Sequence, residues 1–357
     1  MTAIDFAALQ LQRYPSKHAK ELRAWDAADE YLSEFLPEND SVILLNDAFG
    51  ALHCAAEAKN SAEIWHINDS WCARKAIGQN LQSIQYQDFA GQSASLGLVK
   101  IPKSISLLQA QMLSLASQIT TPITLYCSGM QKHVSNGHLD VFKACCDGVE
   151  YLPTSKKARM YRALLAPQNN PTNLQTVPVP ELGIELKNIA GVFAEQKIDI
   201  GSRFFIEHFH LLPKASKVAD VGCGNGLLSL AYHRLHPDAQ LFLYDESMAA
   251  VQSAQLSFAH NFPQATVTIQ HNDGLLDVKE QFELILINPP FHQQNTVTTD
   301  IALSMFEQAS HSLVPGGAVW IVANRHLDYW QALRRRFARV DTVAQNDKFV
   351  ILRASLL

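Results

Sequence analysis

The run Asp220-Val221-Gly222-Cys223-Gly224-Asn225-Gly226 constrains this chain more than any other feature. An apolar segment, Lys217–Val221, leads into it, and a helical pattern, Leu227–Leu235, leads out. Glycines at alternate positions let the backbone turn sharply out of a strand and approach a ligand with no side chain between them. The following helix offers free N–H groups and the positive end of its dipole, which suit a carboxylate. The spacing is Asp-x-Gly-x-Gly-x-Gly. A dinucleotide fingerprint would need its third glycine at Leu227, so nicotinamide and flavin are the weaker readings.

The pattern that starts there continues to the C-terminus. Apolar runs at 217–221, 241–244, 266–270, 282–287, 318–323 and 348–352 read as strands, and helical periodicity covers 227–235, 247–260, 300–312 and 327–337. Strands alternating with helices imply βαβ units and a mostly parallel sheet. The N-terminal half repeats the plan. A strand at 42–45 followed by Asn46-Asp47-Ala48-Phe49-Gly50 resembles the glycine turn, and 64–67 followed by Asn68-Asp69-Ser70 resembles 241–244 followed by Asp245-Glu246-Ser247. Leu98-Val99-Lys100-Ile101-Pro102 stands where Leu286-Ile287-Asn288-Pro289-Pro290 does, and 123–127 matches 319–323. We expect a duplicated α/β domain whose first copy, 1–165, has lost its motifs, and whose second, 181–357, keeps them. Between them 166–180, with four prolines among Asn, Gln and Thr, cannot hold a long helix and reads as a linker.

Composition bounds the function. An apolar share of 47% and a charged share of 18% are those of an ordinary globular protein. No apolar run is long enough to cross a bilayer and no charged-then-apolar leader opens the sequence, so a cytoplasmic protein is expected, without a membrane partner. Cysteines 54, 72, 127, 145, 146 and 223 lack metal-ligand spacing, so they read as reduced, mostly buried thiols and no metal is expected. A net charge of −5 argues mildly against nucleic acid as a partner, but the placement of basic residues matters more than their sum. Two basic clusters exist, Lys156, Lys157, Arg159 and Arg162, then Arg334, Arg335, Arg336 and Arg339, and a solvated face accounts for either.

Three further positions fit the chemistry of an adenosine cofactor and a planar amine. Asp245, or its neighbour Glu246, ends the strand after the glycine turn, where a carboxylate can accept both ribose hydroxyls. Asn272-Asp273 follows the next strand and could hydrogen-bond an adenine amino group; a turn before Gly274 is, taken alone, the simpler account. Asn288-Pro289-Pro290-Phe291 follows the strand at 282–287. Two prolines stiffen that turn and remove two donors, which leaves acceptors for an exocyclic NH₂ group. Phe291 offers a face on which a base can stack, worth roughly 1–3 kcal/mol. A sulfonium donor needs little acid catalysis, so positioning supplies most of the rate. His292 could serve as a base; a polar residue at a pocket rim is the simpler account.

The glycine loop paired with Asn-Pro-Pro-Phe resembles class I methyltransferases that act on planar nitrogens. Longer phrases sharpen the likeness: Leu11-Gln12-Arg13-Tyr14-Pro15, Ala24-Trp25-Asp26-Ala27-Ala28-Asp29-Glu30-Tyr31-Leu32, Leu45-Asn46-Asp47-Ala48-Phe49-Gly50, Asp199-Ile200-Gly201-Ser202-Arg203 and Val322-Ala323-Asn324-Arg325-His326. They resemble the RlmG type of large-subunit ribosomal RNA guanine-N2 methyltransferase, a relative of the small-subunit RsmC type, over nearly the whole chain. The resemblance implies two tandem Rossmann-like class I methyltransferase domains, the first degenerate, and S-adenosylmethionine as cofactor. It implies that Asp220, Gly222, Gly224 and Gly226 form the cofactor loop. Asp245 would hold the ribose and Asp273 the adenine, while Asn288, Pro289 and Phe291 would serve the target base. Residues 199–203 are expected to line the pocket. Ribosomal RNA is the implied partner, and a monomer is expected. Other readings are a small-subunit enzyme, a protein glutamine methyltransferase, a DNA adenine methyltransferase, or a non-catalytic RNA-binding assembly factor. The basic run at 156–162 makes the first domain a candidate to hold RNA.

Overall fold

The computed structural model describes residues 4–16, 22–169, 174–290 and 296–356. It divides into two compact units, Met1–Asn173 and Leu174–Leu357. The first runs α1 (Ala27–Ser33), β1 (Ser41–Leu45), α2 (Ala51–Ala58), β2 (Glu63–Ile67), α3 (Trp71–Asn80), β3 (Leu96–Lys100), α4 (Ile105–Gln118), β4 (Ile123–Met130), α5 (Asn136–Cys145), β5 (Asp147–Ser155) and β6 (Ala158–Leu165). Its sheet has the order β2-β1-β3-β4-β6-β5, parallel as far as β4 and antiparallel beyond.

The second unit opens with a two-stranded hairpin, β7 (Leu174–Val179) and β8 (Ile184–Ile189). There follow α6 (Ile200–Glu207), β9 (Lys217–Val221), α7 (Leu227–Leu235), β10 (Gln240–Asp245), α8 (Met248–Asn261), β11 (Val267–His271), β12 (Phe282–Ile287), α9 (Thr296–His311), β13 (Leu313–Asn324), α10 (Tyr329–Arg334), β14 (Arg339–Gln345) and β15 (Phe349–Ser355). These strands form a sheet of order β11-β10-β9-β12-β13-β15-β14, with β15 antiparallel to both neighbours. Removal of β11 from that list leaves the order of the first sheet. In the first unit a single parallel bridge, His66 to Asp88, stands on the outer side of β2, where β11 lies beside β10.

Both sheets bury both faces. In β12, Leu284 and Leu286 join one apolar cluster while Ile285 and Ile287 join the other. In β1, Ile43 and Leu45 alternate in the same way with Val42 and Leu44. A strand covered by helices on each side needs apolar residues at every position, which is why these segments read as unbroken apolar runs.

Three expectations need correction. Part of the supposed linker, Leu174–Val179, is a strand, because its hairpin partner β8 packs it onto α8: Lys187 and Ile189 donate backbone N–H groups to Ser257 and Ser253. Strand β14 had no counterpart in the sequence reading, since it lies at the sheet edge and alternates little. The helix expected at 327–337 is shorter, six residues after a 3-10 turn, Arg325–Leu327. Among the described residues no helix is long and apolar enough to cross a membrane, and no group of three His, Cys, Asp or Glu side chains is placed to hold a metal.

Candidate active site

At the carboxyl edge of β9, β10, β11 and β12 the turns singled out by sequence come together. Gly222, Gly224 and Gly226 have φ of +73°, +55° and +81°, a left-handed region that side chains disfavour. Two of them do different work. A Cβ at Gly224 would meet no atom of the described residues within 4 Å, so they leave room there; one at Gly226 would stand 3.3 Å from Ala254 Cβ, where α7 packs on α8. The Tyr244 carbonyl accepts from the N–H groups of Gly222 and Cys223, at 2.8 and 3.1 Å, and ties the turn to β10.

Asp220 lies beneath this turn. It is buried, one carboxylate oxygen accepts from Ser229 Oγ at 2.7 Å, and the other has no partner among the described residues. Burial pushes its pKa up to about 7, with the nearby Asp245 adding to the rise. Asp220 therefore braces α7 from below.

Asp245 ends β10, and its carboxylate accepts from the N–H groups of Gly224, at 2.8 Å, and Ser247, at 3.0 Å. Each carboxylate oxygen can accept more than one hydrogen bond, so bracing the loop and holding a ribose are compatible. The bond to Gly224 puts Asp245 rather than the exposed Glu246 at the loop, and the cap of α8 is Ser247. Asn272 donates its backbone N–H to the Asp245 carbonyl at 2.9 Å, which brings the next turn alongside. Within that turn the Asn272 amide donates to the carbonyls of Gly274 and Leu276, so it shapes the backbone, and half-buried Asp273 is the acidic group the turn presents at this edge.

Asn288 follows β12. Its Nδ2 donates to Ser202 Oγ at 2.8 Å and to Asp199 Oδ2 at 3.3 Å, and its Oδ1 is buried without a partner among the described residues. A small cavity unites the parts: Phe193, Asp199, Ser202, Gly222, Gly224 and Asn288 all line it. Pro289 is buried in the adjoining turn. Phe291 and His292 lie outside the described residues. Asp199 and Ser202 were flagged by sequence only as part of a pocket-lining stretch. Their signal was local: Asp199 caps α6, accepting from the Ser202 N–H at 2.8 Å.

The same edge of the first unit is filled by its own side chains. Lys100 occupies the register of Asn288, since Val99 pairs with Leu45 as Ile287 pairs with Val221. Its ammonium lies 3.0 Å from Asp26 and 2.6 Å from Asp29, and Asp26 caps α1 as Asp199 caps α6. Asn46, with φ +62° at the place of Gly222, exchanges two amide hydrogen bonds with Gln111. Asp47 takes N–H bonds from Gly50 and His53, and burial pushes its pKa up to about 6.

A sheet of this order, with a glycine turn after its first strand and an Asn-Pro-Pro turn after its fourth, defines an S-adenosylmethionine-dependent methyltransferase. A family model described as the methyltransferase small domain matches residues 183–353, and one described as the RLMG N-terminal domain matches 1–167. Ribosomal RNA large subunit methyltransferase G of Ectopseudomonas mendocina is 38% identical, covering 98% of each chain, and that of Pseudomonas aeruginosa is 37% identical, covering 99% of this chain and 98% of its own. This chain belongs to the ribosomal RNA large subunit methyltransferase G family. The fold is also that of the T. thermophilus 16S rRNA N2 methyltransferase RsmC, solved with AdoMet and guanosine: the TM-score is 0.78 at 20% identity, over 94% of this chain and 93% of that one.

Proposed function

We propose that this chain methylates the exocyclic N2 of a guanine in large-subunit ribosomal RNA, with S-adenosylmethionine as donor and the second unit as the catalytic one. The observation that carries the reading is Asn288 Oδ1, a buried acceptor without a partner among the described residues, beside a glycine loop that none of those residues crowds at Gly224. A buried acceptor left bare is costly until a donor arrives, and an NH₂ group is such a donor. The names of the relatives and the nucleoside bound to RsmC supply the substrate class.

The residues present fit the cofactor. Backbone at Gly222 and Gly224 would lie against its methionine end, with Asp245 on the ribose and Asp273 on the adenine. The cofactor supplies an electrophilic methyl group on a sulfonium. Asn288 Oδ1 and the Pro289 carbonyl would accept from the two N2 protons and turn the nitrogen lone pair out of the ring toward that methyl. On accepting the methyl group the target nitrogen would give up one of its two protons to solvent. Phe291 would stack on the base. Orientation of this kind is where an enzyme gains most from fixed groups.

The first unit is read as a degenerate copy that holds RNA. Three features support the copy: a strand order lacking only the β11 edge, Lys100 at the Asn288 register, and matched capping aspartates on α1 and α6. Lys156 and Lys157 support the RNA role. They form the two-residue turn between β5 and β6 with φ of +46° and +66°, positions that favour Asn and Gly. Placing two lysines there costs roughly 1–2 kcal/mol per residue, which a phosphate-binding tip would explain.

The test uses two variants. Asn288→Ala should leave cofactor affinity within a few-fold and cut turnover on ribosomal RNA sharply, whereas Asp245→Ala should weaken cofactor binding first. Unchanged turnover in Asn288→Ala removes the assignment. Mass mapping of methylated guanines in ribosomal RNA from cells lacking the protein separates this reading from a protein glutamine substrate.

A further inference from the structure

The amide of Asn288 has two ends of similar shape and opposite hydrogen-bonding sense. Only the oxygen can accept from a target amino group; the nitrogen would set donor against donor. What fixes the choice lies on α6. A carboxylate only accepts, and that of Asp199 lies 3.3 Å from one end of the amide, so that end is the nitrogen. Ser202 Oγ, on a nearly buried side chain, accepts from the same Nδ2 at 2.8 Å. Nδ2 is thereby engaged on the α6 side, and Oδ1 is left as a buried acceptor without a partner among the described residues.

We infer that Asp199 and Ser202 are positioning residues that lock the Asn288 amide with its oxygen toward the substrate, so that the site selects an amino group over a carbonyl at the reacting position. The inference rests on the role of Asn288 proposed above. Rotation of the amide by half a turn would break the bond to Asp199 and bring Oδ1 against its carboxylate, while Ser202 would have to turn its hydroxyl from acceptor to donor, so Asp199 sets the sense of the amide and Ser202 holds it in place. Asp199 also caps α6 through the same oxygen, which couples the position of the lock to the start of that helix.

Asp199→Asn tests this with little change of shape. Because one oxygen both caps α6 and faces Asn288, the new side chain either keeps a neutral oxygen there, which holds Nδ2 more weakly and repels a flipped Oδ1 less, or turns its NH₂ there and accepts the flipped amide; in both cases the orientation is less strictly enforced. Single-turnover methylation should fall at least tenfold, while cofactor Kd, RNA Kd and melting temperature stay within twofold or a degree or two of the parent. Ser202→Ala should fall less, and Ser202→Thr, which keeps the hydroxyl, should recover most of the loss. A second readout needs no substrate. The side-chain amide protons of Asn288, assigned by their absence in Asn288→Ala, should exchange slowly in the cofactor-free parent and faster in Asp199→Asn. If Asn288→Ala is inactive while Asp199→Asn and Ser202→Ala keep full rates and slow exchange, the lock is wrong and the base-facing role of Asn288 stands. If Asn288→Ala itself keeps full turnover, the role of Asn288 fails first. Should Asp199→Asn fail to fold, the Ser202→Ala and Ser202→Thr pair decides: equal rates in both overturn the inference.

Discussion

Burying a carboxyl group with one oxygen unpartnered disfavours its charged form, and Asp220 is held that way under the glycine turn. In the folded protein it keeps its proton up to about pH 7, while in the unfolded chain it gives the proton up near 3.8. Between those values folding takes up a proton, so Asp220 costs stability as pH rises from 3.8 to about 7, and the full penalty remains above that. Asp220→Asn keeps an oxygen for Ser229 and removes the charge. Urea titration should show the variant more stable than the parent by up to about 4 kcal/mol at pH 8, the difference shrinking as pH falls and vanishing only near or below pH 3.8. A difference that does not vary with pH would mean that Asp220 is not the titrating group.

At the scale of elements, the end of β3 and the end of β12 solve opposite problems. Asn288 presents a bare acceptor, whereas Lys100 is consumed by Asp26 and Asp29. Lys100→Ala would leave Asp29 buried without its cation, and removal of one partner from a buried pair costs about 3–5 kcal/mol. Thermal melting should show the first unit losing stability by that order. Lys100→Asn should not create a second cofactor site, because Asn46, Gln111 and Asp47 still fill the edge; calorimetry should give one S-adenosylmethionine per chain in parent and variant alike. Much of this was legible beforehand. The strands Lys217–Val221 and Phe282–Ile287 are legible with their observed bounds because each is a mostly apolar run closed within two residues by glycine or proline. β7 was not, because Pro178 and Pro180 read as linker; Pro178 is tolerated in a strand with a single neighbour, where a missing N–H need break no ladder bond. The bond from Asn288 to Asp199 joins residues 89 apart in sequence, beyond the reach of any local periodicity.

Over the whole molecule, charge is arranged less simply than its total suggests. Of the basic run, Lys156 lies 2.6 Å from Glu30, Arg162 lies 3.7 Å from Glu150, and Arg159 donates to the Val134 carbonyl. Exposed pairs of this kind are weak, so phosphates can displace them. Changing Lys156, Lys157 and Arg159 together to Glu should weaken RNA binding and flatten its salt dependence by about one unit of slope per lost phosphate contact, with cofactor affinity unchanged. An unaltered slope would move the RNA face elsewhere, with the run at 334–339 next in line. A chain that builds two sheets of common strand order faces a hazard of its own during synthesis, since a central strand emerging late could insert into the wrong sheet. The end of β3 would oppose one such exchange. β12 placed in the first sheet would leave Asp29 buried with no cation, and β3 placed in the second would bring an ammonium against a single carboxylate and a hydroxyl in place of two carboxylates. Lys100 would thus make the first half discriminate against the strand of the second, because a buried carboxylate without its cation is costly.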